Sequence, residues 1–297
     1  MEELLQCLNA HYAIHFDWSR SNRDMGSTSY IVYSGKKPYF LRFVKPALAA
    51  TGINGVQVQQ FLARRDFPVP AILPTANGSD WVEWQGGLLI LYEFIEGEDV
   101  DQEEEAEAIG ALTGRLHREM KDYRGELVKR DRDFYLGRYL ATLERKAYPR
   151  VEAYRTMAEA IWEKAGNLSM GYCHGDLYRG NIRKGTDGKL YVHDFDTSCW
   201  GLPMYDVALI CDRTDYFHFQ EENFDRSQAL LARFLTTYRE EHPLGNEEAA
   251  AFPALIALQH FSTQATIMEL FGMESFSHQD MDEQLLWLEQ WNRQWMR

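Results

Sequence analysis

The sequence predicts an α+β fold of two lobes, a small antiparallel-sheet N-terminal lobe and a mainly helical C-terminal lobe. Three observations predict it. Up to residue 95, β-branched and aromatic residues come in short runs separated by turn signals. Beyond Ile95, apolar residues recur every three or four positions, the period of a helix face. The chain has 297 residues, 45% of them hydrophobic and 13% aromatic, which is core enough for about two domains.

The elements follow in order. Residues 14–18 and 29–34 read as strands, and Gly35-Lys36-Lys37-Pro38 as the turn into a third strand, 39–44. Val58, Phe61 and Leu62 suit a helix over 52–65, which Pro68 and Pro70 close off. Residues 81–84 and 88–94 form a hairpin across Gly86-Gly87. The change of pattern sets the expected domains at 1–95 and 96–297, with Glu96-Gly97 as hinge. Ile109, Leu112, Leu116 and Met120 then mark a helix. Further helices are expected at 148–165, 204–217, 226–240 and 252–271, with one strand-like interruption at 172–193. Residues 96–107 hold eight carboxylates in 12 positions, a charged helix start that the macrodipole favours and that can also attract cations.

Charge and cysteines narrow the functions. Forty-five acidic against 31 basic residues give a net charge of −14. Nucleic-acid binding needs clustered Lys and Arg, so no nucleic-acid partner is expected. A nucleotide held by a few cations and a metal, or a cationic small molecule, remains compatible. Cys7, Cys173, Cys199 and Cys211 show no C-x-x-C spacing and read as free thiols of a reducing compartment. The start Met1-Glu2-Glu3 lacks a signal-peptide pattern. The longest nearly apolar run, 249–258, is interrupted by Pro253 and falls short of the about 20 residues a span needs. The expectation is a cytoplasmic protein without a membrane partner; nothing in the sequence specifies an oligomeric state.

The chemistry concentrates in Tyr172-Cys173-His174-Gly175-Asp176-Leu177-Tyr178-Arg179-Gly180-Asn181, followed by Tyr191-Val192-His193-Asp194-Phe195-Asp196. An acid, Asp176, is followed five residues later by an amide, Asn181, and a short hairpin returns a second acid, Asp194. Phosphoryl transfer from a nucleotide needs such a set: a carboxylate to orient the attacking hydroxyl and oxygen ligands to hold Mg²⁺ on the phosphates. Mg²⁺ takes one or two carboxylates plus phosphate oxygens, which makes Asn181 and Asp194 suitable ligands. Asp and Asn also cap turns and helices, the other role these residue types fill.

This segment resembles the aminoglycoside-phosphotransferase and choline-kinase group of small-molecule kinases, which has the protein-kinase-like fold and uses H-G-D in place of H-R-D. Weaker matches follow in the same order along the chain. Phe67-Pro68-Val69-Pro70 looks like the turn after the inserted helix, and Leu88 through Gly97 like the hinge strand. Leu116-His117 looks like a helix end of that group, and Gly201-Leu202-Pro203-Met204-Tyr205-Asp206 like its G-x-P-x-x-D segment. The resemblance implies that Asp176 is the catalytic base or hydroxyl-orienting group and that His174, the second catalytic candidate, orients the catalytic loop or else transfers a proton directly. It also implies that Asn181 and Asp194 hold the metal, with Asp196 near it. Asp206 would anchor loop backbone, and Glu93, Phe94 and Ile95 would border the nucleotide. The implied cofactors are ATP, with GTP as the alternative, and Mg²⁺; the implied partner is a small hydroxylated acceptor.

The first lobe departs from that pattern. The cation for the α- and β-phosphates falls at Arg42, with Phe40 on the same strand face and Lys45 on the opposite one. The group pairs this cation with a Glu on the inserted helix, yet 46–65 holds no Asp or Glu. Gln57 stands nearest the expected position, with Gln59 and Gln60 as the other amides on hand. The phosphate loop Met25-Gly26-Ser27-Thr28-Ser29 has one glycine; its backbone N–H groups and the Ser27 and Thr28 hydroxyls can meet phosphate. For the acceptor, Tyr216, Phe217, Phe219, Trp287, Trp291 and Trp295 offer aromatic faces to an amine, or else pack the core. The expected activity is ATP-dependent phosphotransfer to a hydroxyl of a small metabolite or antibiotic-like molecule. The alternatives are a nucleotide-binding pseudokinase and a stress-response-type Ser/Thr protein kinase.

Overall fold

Period-two alternation makes the first sheet two-faced. In the computed structural model, which describes residues 2–25 and 27–295, five antiparallel strands run in the order β1-β2-β3-β5-β4. They are β1 (Trp18–Met25), β2 (Ser27–Ser34), β3 (Lys37–Val44), β4 (Val82–Trp84) and β5 (Gly87–Glu93). Tyr39 and Leu41 of β3 and Leu89 and Leu91 of β5 pack on one face with Leu4 and Leu8 of α1 (Glu2–His11). Val44, Leu88, Ile90 and Tyr92 pack on the other face with Val56 of α2 (Ala49–Ala63). Arg42 alternates with Leu41 and so belongs to the α2 face.

The expected strand at 14–18 is corrected: β1 begins at Trp18, and a helix, α1, precedes it. Asn9 explains the difference. Its side chain accepts from the Phe16 N–H at 2.7 Å and donates to the Phe16 carbonyl at 3.0 Å. Those backbone groups are thereby withdrawn from any sheet ladder, and Phe16 is buried in the cluster with α1.

Two compact units arise. The first contains Met1–Val100, Asp122–Glu126 and Gly180–Ser198; the second contains Asp101–Lys121, Leu127–Arg179 and Cys199–Arg297. Units defined by contact are thus discontinuous in sequence, unlike a division after residue 95. The first unit gains a small sheet, β10-β9-β6, from β6 (Gly97–Asp99), β9 (Ile182–Gly185) and β10 (Leu190–Val192). The second unit has the sheet β7-β11-β8, from β7 (Val128–Lys129), β8 (Gly171–Cys173) and β11 (Cys199–Gly201). Its helices are α3 (Ala106–Glu119), α4 (Arg138–Arg145), α5 (Val151–Ala165), α6 (Pro203–Cys211), α7 (Glu222–Glu241), α8 (Asn246–Ala250), α9 (Phe252–Phe271) and α10 (His278–Trp295).

The helix expected over 204–217 stops at Cys211. Asp212 Oδ1 accepts the Thr214 N–H, and Asp215 Oδ1 accepts those of Phe217 and His218, local bonds that compete with the helix. Within the acidic run, Glu103 pairs with Arg213 and Arg226, and Glu107 with Arg233 of α7. Among the described residues no helix is long and apolar enough to cross a membrane.

Helices α3 and α7 meet at glycine. A Cβ on Gly110 would lie 2.2 Å from the Phe234 carbonyl oxygen and 2.6 Å from Thr237 Oγ1. Gly110→Ala is therefore expected to destabilise the fold by about 1–3 kcal/mol, the scale of overpacking. Chemical denaturation measures it; a loss under about 0.5 kcal/mol, typical of neutral surface changes, would refute the close approach.

Candidate active site

In the first unit, the β9–β10 hairpin converts sequence distance into adjacency. Ile182 pairs with Val192, and one step outward the His193 N–H donates to the Asn181 carbonyl at 3.1 Å. Asn181 and Asp194 therefore stand at the same end of the hairpin. Asn181 is buried, whereas the Asp194 side chain keeps 37% of its surface exposed. Asp194 sits in the left-handed region, φ 66 and ψ 62, a conformation uncommon for residues other than glycine and more accessible to Asp. A short turn, Phe195–Thr197, follows, with Phe195 buried as its anchor.

Arg42 joins this hairpin end to the five-stranded sheet. Its backbone is held between Ser29 of β2 and Ile90 of β5. Nη1 donates to Asp194 Oδ1 at 2.7 Å, and Nη2 lies 2.9 Å from Asp196 Oδ2. Only 12% of the Arg42 side chain and 14% of that of Asp196 are exposed. Burial disfavours the charged guanidinium, but the attraction of Asp194 and Asp196 outweighs it and the net shift is upward. Burial pushes the Asp196 carboxyl up to about 6, against the attraction of Arg42 and with repulsion from Asp194 adding to the rise. Nε of Arg42 is buried without a hydrogen-bond partner.

The amides expected to replace the helix glutamate do not do so. Gln57 is exposed, and Gln59 is buried with Nε2 donating to the Pro70 carbonyl at 2.5 Å. Asp196, which the resemblance set near a metal, pairs with Arg42, as Asp194 does. Lys45 lies beyond the end of β3 and is exposed. Phe40 is half-buried with its ring tilted against Tyr92 at 6.1 Å. Gly26 lies outside the described residues, as does the Ser27 side chain; the backbone of Thr28 pairs with Phe43. Glu93 ends β5 exposed, its N–H on the Ala71 carbonyl at 2.8 Å. Phe94 is half-buried, and the Ile95 carbonyl accepts Nε of Arg183 at 2.8 Å.

The second unit holds the loop that carries His174 and Asp176. Asp206, at the start of α6 and fully buried, accepts the N–H groups of His174 at 2.6 Å and Gly175 at 2.9 Å. His117 Nε2 lies 3.1 Å from the same carboxylate, and its Nδ1 lies 2.8 Å from the Tyr238 hydroxyl. A carboxylate only accepts, so Nε2 of His117 carries a proton toward Asp206. Arg130 Nη1 donates to the Gly175 carbonyl at 3.0 Å. His174 is buried, whereas Asp176 is half-exposed beside buried Leu177. The loop backbone is thus fixed from inside at His174 and Gly175.

The aromatic residues expected at the acceptor end divide. Trp287 and Trp291 are core: their indole N–H groups donate to the carbonyls of Asp215 at 2.9 Å and Pro253 at 2.8 Å, and both are buried. Trp287 stacks on His260 at 3.6 Å, and Tyr216 stacks on the same imidazole at 5.0 Å. Burial pulls His260 down to about 3, so the stack is neutral at pH 7. Phe219 meets Trp287 edge to face at 6.1 Å, Trp295 is half-buried, and Phe217 is exposed.

Asn181 and Asp194 supply hard oxygen donors, the kind Mg²⁺ takes. Among the described residues no cluster of three or more His, Cys, Asp or Glu is arranged for a metal. Two protein donors with phosphate oxygens completing the shell fit Mg²⁺ better than an all-protein cage.

The profile of the "Phosphotransferase enzyme family" matches residues 18–245, more than half of the chain. A homoserine kinase of Methylobacillus glycogenes is 25% identical over 240 residues, 77% of this chain and 72% of that protein. An uncharacterized protein of Deinococcus radiodurans is 31% identical over 145 residues, 47% of this chain; the match spans only 40% of that protein's length. Among solved structures, an amicoumacin kinase in complex with AMP-PNP, Ca²⁺ and Ami superposes with a TM-score of 0.77 at 19% identity, covering 99% of this chain and 93% of that one. A microcompartment-associated aminopropanol kinase gives 0.74 at 16% identity, covering 98% and 95%. The shared fold is the α+β arrangement of antiparallel sheet and helices found in those small-molecule kinases.

Proposed function

This chain belongs to the phosphotransferase enzyme family, and on that premise we propose that it transfers the γ-phosphoryl group of ATP to a hydroxyl of a small metabolite. The observation that carries the reading is the cluster of Arg42, Asp194 and Asn181, a cation and two oxygen donors gathered at one end of the β9–β10 hairpin. Arg42 takes the α- and β-phosphates. Asn181 and Asp194 hold Mg²⁺, which neutralises charge on the phosphates when bound. Asp176 accepts the proton of the acceptor hydroxyl, and His174 keeps its loop in place. In this reading the lobe of residues 1–95 serves the nucleotide, residues 96–297 serve the acceptor, and GTP is the competing nucleotide. A small amine-bearing alcohol suits the net charge of −14. The kinases named for homoserine and aminopropanol point to the same class of acceptor.

A thermal melt tests the nucleotide half. Mg²⁺–ATP at 100 times its Kd adds about 2.7 kcal/mol, which is on the order of 5–10 °C in Tm for a chain of this size. The rise should shrink with ATP plus chelator. No shift with either form, in a sample with a cooperative melt, would remove the nucleotide from the reading. ADP release is then screened with homoserine and short amino alcohols as acceptors.

A further inference from the structure

We propose that Asp196 is the positioning carboxylate of Arg42, standing where kinases of this fold place a glutamate of the inserted helix, and that Gly55 is the residue that admits it. This rests on the reading of Arg42 as the phosphate-binding cation.

The helix that should supply a partner is α2, and 46–65 contains no Asp or Glu. Its amides do not substitute, since Gln57 is exposed and Gln59 is bound to the Pro70 carbonyl. What α2 presents instead is a buried glycine. A Cβ on Gly55 would lie 2.6 Å from Asp196 Oδ1 and 3.1 Å from the Asp196 backbone nitrogen. The space that a helix side chain would use to reach Arg42 is therefore filled by Asp196, brought there by the turn Phe195–Thr197 packed on α2. From that position Asp196 Oδ2 reaches Arg42 Nη2 at 2.9 Å.

The guanidinium suits this exchange. Its two terminal nitrogens serve two carboxylates at once, Nη1 on Asp194 and Nη2 on Asp196, which a lysine ammonium does with less directional control. The two acids are not equivalent. Asp194 is the more exposed, at 37% against 14% for Asp196. The missing helix acid and the second acid of Asp-Phe-Asp are thereby one feature: the counter-ion has moved from the helix to the turn.

Relocating the charge tests this. ADP affinity is measured by calorimetry, with chelator and with Mg²⁺, for the native chain, Asp196→Ala, Asp196→Asn, Gly55→Glu and the double variant Gly55→Glu/Asp196→Ala. The melting temperature of each nucleotide-free protein is taken in parallel. Asp196→Ala is expected to weaken ADP binding in chelator by about tenfold to a hundredfold, the scale of a lost charge-assisted bond. Gly55→Glu alone should lower the melting temperature through its clash with Asp196. The double variant places a carboxylate from position 55 into the vacated space and should recover most of the metal-free affinity.

Unchanged metal-free binding by Asp196→Ala, with only the Mg²⁺-dependent gain reduced, would overturn the proposal and make Asp196 a metal ligand. A well-folded double variant as weak as Asp196→Ala would overturn it too. If the double variant does not fold, Asp196→Asn decides by the same metal-free criterion. If the native chain binds no ADP, the nucleotide reading fails separately. The ion pair is then judged by melting temperature, which Asp196→Ala must lower and the double variant, or failing that Arg42→Met in the Asp196→Asn background, must restore.

Discussion

Asp176→Asn is expected to lower kcat for phosphoryl transfer by about 10²–10⁴-fold, the usual contribution of a positioned general base. The substitution keeps the size of the side chain and removes its capacity to take a proton. The loop should keep its shape, because its backbone is held by Asp206 and Arg130 rather than by Asp176. KM for ATP should accordingly change little, since the groups assigned to the phosphates are Arg42, Asn181 and Asp194. Steady-state ADP release with an accepted substrate measures both constants. A kcat within about threefold of the native value would take Asp176 out of the reaction.

Asp206→Ala is expected to destabilise the chain by about 3–5 kcal/mol, the range found when one partner of a buried charged network is removed. The change strands three groups at once: the N–H of His174, the N–H of Gly175 and Nε2 of His117. The His174 N–H and His117 Nε2 lie where water does not replace the lost acceptor, because the Asp206 and His117 side chains are 0% and 1% exposed and His174 is buried. The melting temperature should fall by on the order of 10 °C. Activity measured well below the melt should fall as well, because Asp176 follows directly on the released backbone. His117→Ala leaves the N–H groups of His174 and Gly175 on Asp206 and should give the smaller loss on both scales. A melting temperature unchanged by Asp206→Ala would contradict the tether.

Much of this architecture is legible in the residues. The apolar and aromatic runs at 39–44 and 88–94, bounded by turn signals, predict strands, and β3 and β5 are there. The helix expected over 252–271 is α9, Phe252–Phe271. Period and turn chemistry are local properties, so a single chain displays them. Helix α1 was not legible because its role depends on Asn9 seizing the backbone of Phe16 seven residues away. The tryptophans at 287 and 291 share a helix face in any reading, and a face alone does not say what covers it. Asp215, Pro253 and His260 cover it, and each comes from another part of the chain.

What the sequence by itself determined is the class of the fold and the identity of the acid, amide and acid at 176, 181 and 194. In the proposed function their residue types and spacing answer to the chemistry of a hydroxyl and a metal-bound phosphate. What only the tertiary structure decided is which charges meet. Arg42 and Asp194 are 152 positions apart, and Asp196 reaches the same guanidinium only because α2 carries a glycine where the turn Phe195–Thr197 lands. An ion pair is set by where packing leaves room for two side chains, and that room is a property of the folded chain rather than of any segment of it.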